Sequence, residues 1–412
     1  MSTIEFDRHS PITCFDVQNN DLVIGGHTVS ELATRADGLA FYAYDRSIMA
    51  QKVAQLREHF PRSVKLHFAI KANPMPELVA HMASLVDGLD VASGRELEVA
   101  AATQTPRHEI SFAGPGKQTD ELRLAITKGI VINCESATEL ERIDGLAADM
   151  GFRPKVALRV NPDFQLQNSG MKMAGGPQQF GIDAEQVPAV LSTMQYMHLD
   201  FHGFHIFSGS QNLRADAIIE SQNKACELAV RLARFAPSPV RMLNIGGGLG
   251  VPYFPNETPL DIEPIGASLN TLSAAMQQQL PQADLVVELG RYLVAESGIY
   301  VCRITDKKVS RGQIFLICNG GLHHHLAASG NFGQVLRKNY PVAIGTKMQA
   351  TSTATASVVG PLCTPLDLLA AKMTLAEADI DDLVVVFQSG AYGYTASPQY
   401  FLSHPAPREF LV

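Results

Sequence analysis

From about residue 40 onward, short apolar runs that read as strands alternate with segments that read as helices, and eight such strands can be marked. They are LHFAIKA (66–72), GLDVAS (88–93), ISFAG (110–114), IVINCES (130–136), VALRVNP (156–162), FHGFHIFSG (201–209), MLNIGGG (242–248) and LVVELGR (285–291). Enough chain separates each from the next for a crossover, and intervals such as PMPELVAHMASL and IIESQNKACELAVRLARF carry helical periodicity. Eight β/α units predict a closed (β/α)8 barrel, since an open doubly wound sheet seldom needs so many. One helix precedes them, with Asp45 as N-cap and Met49, Val53, Leu56 and Phe60 on one face.

After about residue 292 the texture changes. GIYVCRITDKKVS, GQIFLICNG, ATASVVG and DDLVVVFQSGAY read as strands joined by turns, with one short helical candidate around 367–371. DLVIGGHTVS (21–30) reads as a further strand of the same kind. The expected organisation is an α/β chain with a barrel over 39–283 and a mostly antiparallel β-domain built from both chain ends, 1–38 and 284–412. At 412 residues and 46% hydrophobic, the chain has material for a sizeable core.

Composition narrows the function. A net charge of -8 without a compact Lys/Arg block argues against a general nucleic-acid binder. The six cysteines are scattered without a CxxC pair, which favours free thiols in a reducing compartment. The start, MSTIEFDRHSP, lacks the regions of a signal peptide, and no apolar run approaches the length of a membrane span. A cytoplasmic protein is the expectation.

In such a barrel, function gathers where strands end at the C-terminal face. Polar residues recur there: Lys71, Ser93, Arg159 and Asn161, His205 and Ser208, Gly246 to Gly248, then Glu288, Gly290 and Arg291. Each alone has an ordinary reading. Lys71 alone reads as a solvated strand-end lysine, and the triple glycine as a tight turn. The glycines do not follow GxGxxG, and the prolines of LGVPYFPNETP preclude the helix a dinucleotide loop requires. Bare backbone N–H groups near Arg291 still suit a phosphate. His202 and His205 lie three apart on a strand and face opposite ways, and the run His323 to His325 has no further ligands at usual spacing, so no metal is expected. A lysine, a phosphate loop with an arginine, a carboxylate and an imidazole together point to pyridoxal 5'-phosphate.

The motifs FAIKAN, DVASGRE, FHIFSGSQ, NIGGGLG, ELGRYLV, GPLCTPLD and SGAYGY resemble those of the fold-type III pyridoxal-phosphate decarboxylases, which include the ornithine, arginine and diaminopimelate decarboxylases. FAGPGK, GMKMAGGPQQFGID, LCTPLD and FLSHPAP are similar to a subgroup of carrier-protein-linked glutamyl decarboxylases, siderophore-precursor decarboxylases and decarboxylases of exosortase A systems. GLHHHLAASGNFGQVLRKNYPVAIG most resembles the last of these. The resemblance implies a barrel of alanine-racemase type and a β-domain carrying Glu288, Arg291, Cys363 and Tyr392. It implies that Lys71 carries the cofactor as an aldimine, His205 stacks on its ring, and Glu288 pairs with the ring nitrogen. Ser208, Gly246, Gly247, Gly248, Gly290, Arg291 and Tyr392 would hold the cofactor and its phosphate. Cys363 would enter from the partner of a homodimer with shared sites and return a proton after decarboxylation. Burial and the cationic ring are expected to lower the Lys71 pKa.

Two departures bear on substrate. Diamine-forming relatives carry an acidic residue directly after the cysteine, where this chain has Thr364. QQFG replaces the KFG of diaminopimelate decarboxylases. A free basic amino acid is therefore a poorer fit than a substrate with a neutral or acidic distal end, such as a conjugated amino acid or one tethered to a carrier protein. Arg337 is the candidate to meet an anionic distal group, with Lys338 beside it; a solvated surface is the alternative. The competing functions are an amino-acid racemase, against which Glu288 and Cys363 argue, a diaminopimelate- or ornithine-type decarboxylase, and an inactive regulatory homologue.

Overall fold

The computed structural model describes residues 3–6, 8–164, 171–172 and 175–412. Gly170, Met173 and Ala174 of the GMKMAGG motif lie outside the described residues. The chain divides into two units, one of Lys52–Gly250 and Leu260–Gly290, the other of Met1–Gln51, Val251–Pro259 and Arg291–Val412.

The first unit is the barrel. Its strands are β1 (Val64–Ala69), β2 (Gly88–Val91), β3 (Ile110–Phe112), β4 (Val131–Cys134), β5 (Lys155–Asn161), β6 (Asp200–His205), β7 (Met242–Asn244) and β8 (Asp284–Leu289). All pair in parallel with their sequence neighbours, and β8 pairs with β1 to close the ring. Helices fill the crossovers, and local chemistry fixes their ends. Ser93 and Ser136 cap helices Gly94–Ala101 and Ala137–Met150 by accepting from the amides of Glu96 and Glu139. Gly129 and Gly151 end helices in the left-handed conformation at φ 69°. The helix expected after Asp45 spans Arg46–His59, with the Asp45 carboxylate accepting from Ser47 N at 2.7 Å and Met49, Val53 and Leu56 buried.

Inside the ring, Val131, Ala157, Met242 and Val286 form a small apolar cluster. A polar layer also crosses β1 to β4. Asn133 donates to Ser111, Ser111 donates to Asp90, and the ring of His67 lies 3.4 Å from both Asp90 and Glu109.

In the second unit, the long strand Gly298–Ser310 pairs antiparallel with Phe41–Tyr44, Gln313–Cys318 and Leu383–Val386. Thr353–Val359 and Arg408–Leu411 add parallel pairings, so the eight-stranded sheet is mostly antiparallel. Phe15, Leu22, Val29, Phe41, Ile299, Val301, Val385 and Phe387 are part of its core.

Several details differ from expectation. Lys71 is not on β1 but on the single 3₁₀ turn Ile70–Ala72 that follows it. Residues 367–371 open the strand Leu368–Ala376 instead of a helix. DLVIGGHTVS is a hairpin, Asp21–Ile24 with His27–Thr28, and the start of a helix capped reciprocally by Thr28 and Glu31. Glu288 sits on β8 in the barrel sheet, and the division of the chain falls after Gly290. Val251–Pro259 belongs with the sheet unit, where the Tyr253 ring lies 4.7 Å from that of Tyr340.

Candidate active site

In the barrel unit, the ends of β1, β6, β7 and β8 bring Lys71, His205, the glycine loop and Glu288 together. Pro74 stops the turn after β1, and Asn73 braces it by accepting from Met75 N at 3.2 Å. Lys71 Nζ donates to Glu288 Oε1 at 3.4 Å and lies 5.5 Å from the centre of the Phe207 ring. Its side chain is 43% accessible and its near neighbour is a carboxylate.

Glu288 is 5% exposed. Burial alone would raise its pKa. The Lys71 ammonium, the nearby His205 ring and the Arg159 guanidinium outweigh that and hold the carboxyl well below the usual range. Asn244 Nδ2 donates to Oε2 at 3.5 Å. His205 Nε2 is 3.2 Å from Oε2 but poorly aligned, and neither ring nitrogen of His205 has a well-formed hydrogen bond among the described residues.

The loop after β7 is built around Asn244, whose Oδ1 accepts from Gly246 N at 2.8 Å, while Gly246 O accepts from Glu288 N at 3.0 Å. Gly246 and Gly248 have φ of 68° and 78°, and a Cβ on Gly247 would meet Glu288 O at 2.2 Å. Only glycine allows this loop to lie so close to β8. Ser208 Oγ is buried without a hydrogen-bond partner among the described residues, and it lines a small cavity with Asn212, Gly247 and Gly248. Gly290 follows β8, where a Cβ would come 3.0 Å from Ala72 Cβ.

Beside this group, Glu135 was not singled out from the sequence. Its carboxylate accepts from Gly114 N at 2.6 Å, Gly181 N at 2.9 Å and Arg159 Nη1 at 2.8 Å, joining the ends of β3, β4 and β5. Asn244 was passed over too, although it opens NIGGG. The available signal in each case was a polar side chain at a strand end.

In the sheet unit, Arg291 Nη1 donates to Tyr253 OH at 3.1 Å, and the guanidinium lies 4.6 Å from the ring centre of Tyr392. Arg291 Nε is buried without a partner among the described residues. Tyr392 has φ 53°, a left-handed conformation that costs a non-glycine residue on the order of 1–3 kcal/mol. Cys363 is exposed and Thr364 half-buried on the loop before Leu368–Ala376. Arg337 is engaged within the sheet unit. Its guanidinium donates to Ser329 O at 3.1 Å, Asn339 Oδ1 at 2.8 Å and Leu368 O at 2.5 Å.

The histidine run is buried. His324 bonds to Pro405 O and Tyr300 OH, and His325 to Ser389 Oγ. No group of metal-binding residues occurs among the described residues.

Residues 46–295 match the family model described as pyridoxal-dependent decarboxylase, pyridoxal binding domain. The chain belongs to the pyridoxal-dependent decarboxylases. This decarboxylase is 36% identical to the L-glutamyl-[BtrI acyl-carrier protein] decarboxylase of Niallia circulans, over 90% of this chain and 88% of that one. It is 30% identical to the 2-[(L-alanin-3-ylcarbamoyl)methyl]-2-hydroxybutanedioate decarboxylase of Staphylococcus aureus, over 93% and 96% of the two chains. A diaminopimelate decarboxylase structure from M. jannaschii shares the fold, with TM-score 0.88 at 23% identity over 97% of this chain and 92% of that one.

The decarboxylase's own residues fit pyridoxal phosphate, the cofactor of the family. Lys71 beside a buried anionic Glu288 suits an aldehyde and a ring nitrogen. Within the barrel unit, the orphaned Ser208 Oγ is a spare donor suited to a phosphate oxygen.

Proposed function

We propose that this enzyme removes the α-carboxylate of a conjugated amino acid, such as one carried on a carrier protein, in preference to a free basic amino acid. The observation that carries the reading is Thr364, a neutral residue where diamine-forming relatives place an acid to meet a distal ammonium. The names of the Niallia circulans and Staphylococcus aureus relatives, both acting on conjugates, support it.

Lys71 would hold the cofactor through its ε-amine, with His205 as the residue to pack on its ring and Glu288 as the partner of its ring nitrogen. Ser208, the amides of Gly246 to Gly248, Gly290, Arg291 and Tyr392 would supply its phosphate and ring contacts. Bound pyridoxal phosphate supplies the electron sink that accepts the electron pair left when carbon dioxide departs. Glu288 keeps its negative charge in a buried position, so it holds a proton on a nitrogen placed against it and keeps the sink cationic. That favours decarboxylation over racemisation. Cys363, contributed by a second copy of the chain, delivers a proton to the substrate α-carbon.

A homodimer is supported by the surface around Cys363. Val335 is 99% and Leu336 77% exposed, and Leu366 60%, on loops joined by Asn331 and Arg337 to the Leu366 and Leu368 carbonyls. Six free cysteines accord with a cytoplasmic location. Among the described residues no helix is long and apolar enough to cross a membrane.

The test is a screen of carbon dioxide release from free amino acids, citryl conjugates and aminoacyl-carrier proteins. Release from a conjugate and none from free ornithine, lysine or diaminopimelate is expected. Efficient release from a free basic amino acid would overturn the substrate assignment.

A further inference from the structure

Cys363 rides on a loop whose shape depends on one buried carboxylate. Asp367 is 3% exposed. Its Oδ1 accepts from Leu322 N at 2.6 Å and its Oδ2 from Leu362 N at 2.8 Å. Leu362 immediately precedes Cys363, so the second bond fixes the backbone on which the thiol is mounted. The same loop is closed by Gly360 N donating to Asp367 O at 3.1 Å, Thr364 N to Leu362 O at 2.8 Å and Asp367 N to Thr364 O at 3.2 Å.

Two glycines make room for the carboxylate. A Cβ on Gly321 would lie 2.1 Å from Oδ1, and one on Gly360 would lie 2.3 Å from Oδ2. Neither glycine has a positive φ, so close approach to Asp367, and not backbone conformation, is what excludes a side chain there. Asp367 thus ties together three residues of the chain, the second glycine of NGGL (Gly321), the glycine of GPLC (Gly360) and the aspartate of CTPLD itself. A carboxylate accepting two short backbone bonds is a strong restraint. It costs burial of a charge, which a loop with no positional duty would not require.

We infer that Asp367 is a positioning residue for Cys363, clamping the 360–367 loop so that the thiol is presented in one place. The inference rests on the role proposed above for Cys363, yet it can be tested apart from it. Asp367→Asn replaces one acceptor by an amide that opposes an N–H donor. Gly360→Ala displaces the carboxylate while keeping its charge.

The test is the rate of alkylation of each cysteine by iodoacetamide in the cofactor-loaded enzyme, read by peptide mass spectrometry, with the melting temperature alongside. Buried Cys134, Cys226, Cys302 and Cys318 serve as internal reporters of an intact fold. Both variants are expected to alkylate Cys363 at least threefold faster than the parent, with the four buried thiols still protected. With any substrate that releases carbon dioxide, kcat falls about tenfold at little changed KM. Cys363 alkylation within twofold of the parent in both variants would overturn the inference. So would loss of protection at the buried thiols, which would make Asp367 a general stability residue. Normal turnover in Cys363→Ala would instead remove the role of Cys363 and leave the alkylation result standing.

Discussion

Glu288 shows how a single residue can constrain the chemistry. A carboxylate 5% exposed would ordinarily be neutralised, yet Lys71, His205 and Arg159 hold it charged. Lys71→Ala is expected to abolish both turnover and the borohydride-sensitive visible absorbance band of the loaded enzyme, and retention of either would contradict the role given to Lys71. Glu288→Ala is expected to keep cofactor, by the same spectrum, while kcat drops by several powers of ten; a near-normal rate would remove Glu288 from the electron sink. These two residues were legible because each breaks an apolar strand pattern at its end. Glu135 and Asn244 were less legible, since each acts by accepting backbone N–H groups from segments distant in sequence or from a turn, and composition carries no mark of that. The surroundings of Arg337 were illegible for a related reason. A cation in a polar loop looks available, and only the fold reveals that its guanidinium is occupied by three acceptors.

At the scale of elements, the eight strands were readable because parallel barrel strands are near-continuous apolar runs. Their ends were less so. The pattern of FAIKA continues past the last ladder bond, and Lys71 falls on the turn beyond β1. The polar layer inside the barrel could not be foreseen either, because its members come from four strands. It makes a pH prediction. Burial would lower the pKa of His67, but Asp90 and Glu109 raise it to about 9. The raised pKa stabilises the fold fully below the unfolded value near 6.5, and that contribution is lost as pH rises through about 9. Melting temperature should therefore fall between pH 7 and 10 more steeply in the parent than in His67→Asn; parallel profiles would show that His67 is not charged in the native state. A second element-scale test concerns Lys117, whose Nζ is buried against Glu139 at 3.1 Å and donates to Gly114 O and Asn133 O at 2.8 Å. Lys117→Met leaves Glu139 buried and unpaired, and chemical denaturation should report a loss of about 3–5 kcal/mol. A loss below about 1 kcal/mol would mean that the pair carries no net stabilisation.

At the scale of the molecule, the claim is that two copies complete one another's sites. Mixing Lys71→Ala with Cys363→Ala and allowing exchange should restore about a quarter of parental activity, since one site in four regains both residues. No recovery on mixing, with exchange verified, would place the cysteine with its own chain's lysine. The most direct measurement of the central claim is borohydride reduction of the cofactor-loaded enzyme, followed by digestion and mass spectrometry of the labelled peptide. The account predicts one pyridoxyl group per chain, on Lys71. A label on any other lysine, or none, would contradict it.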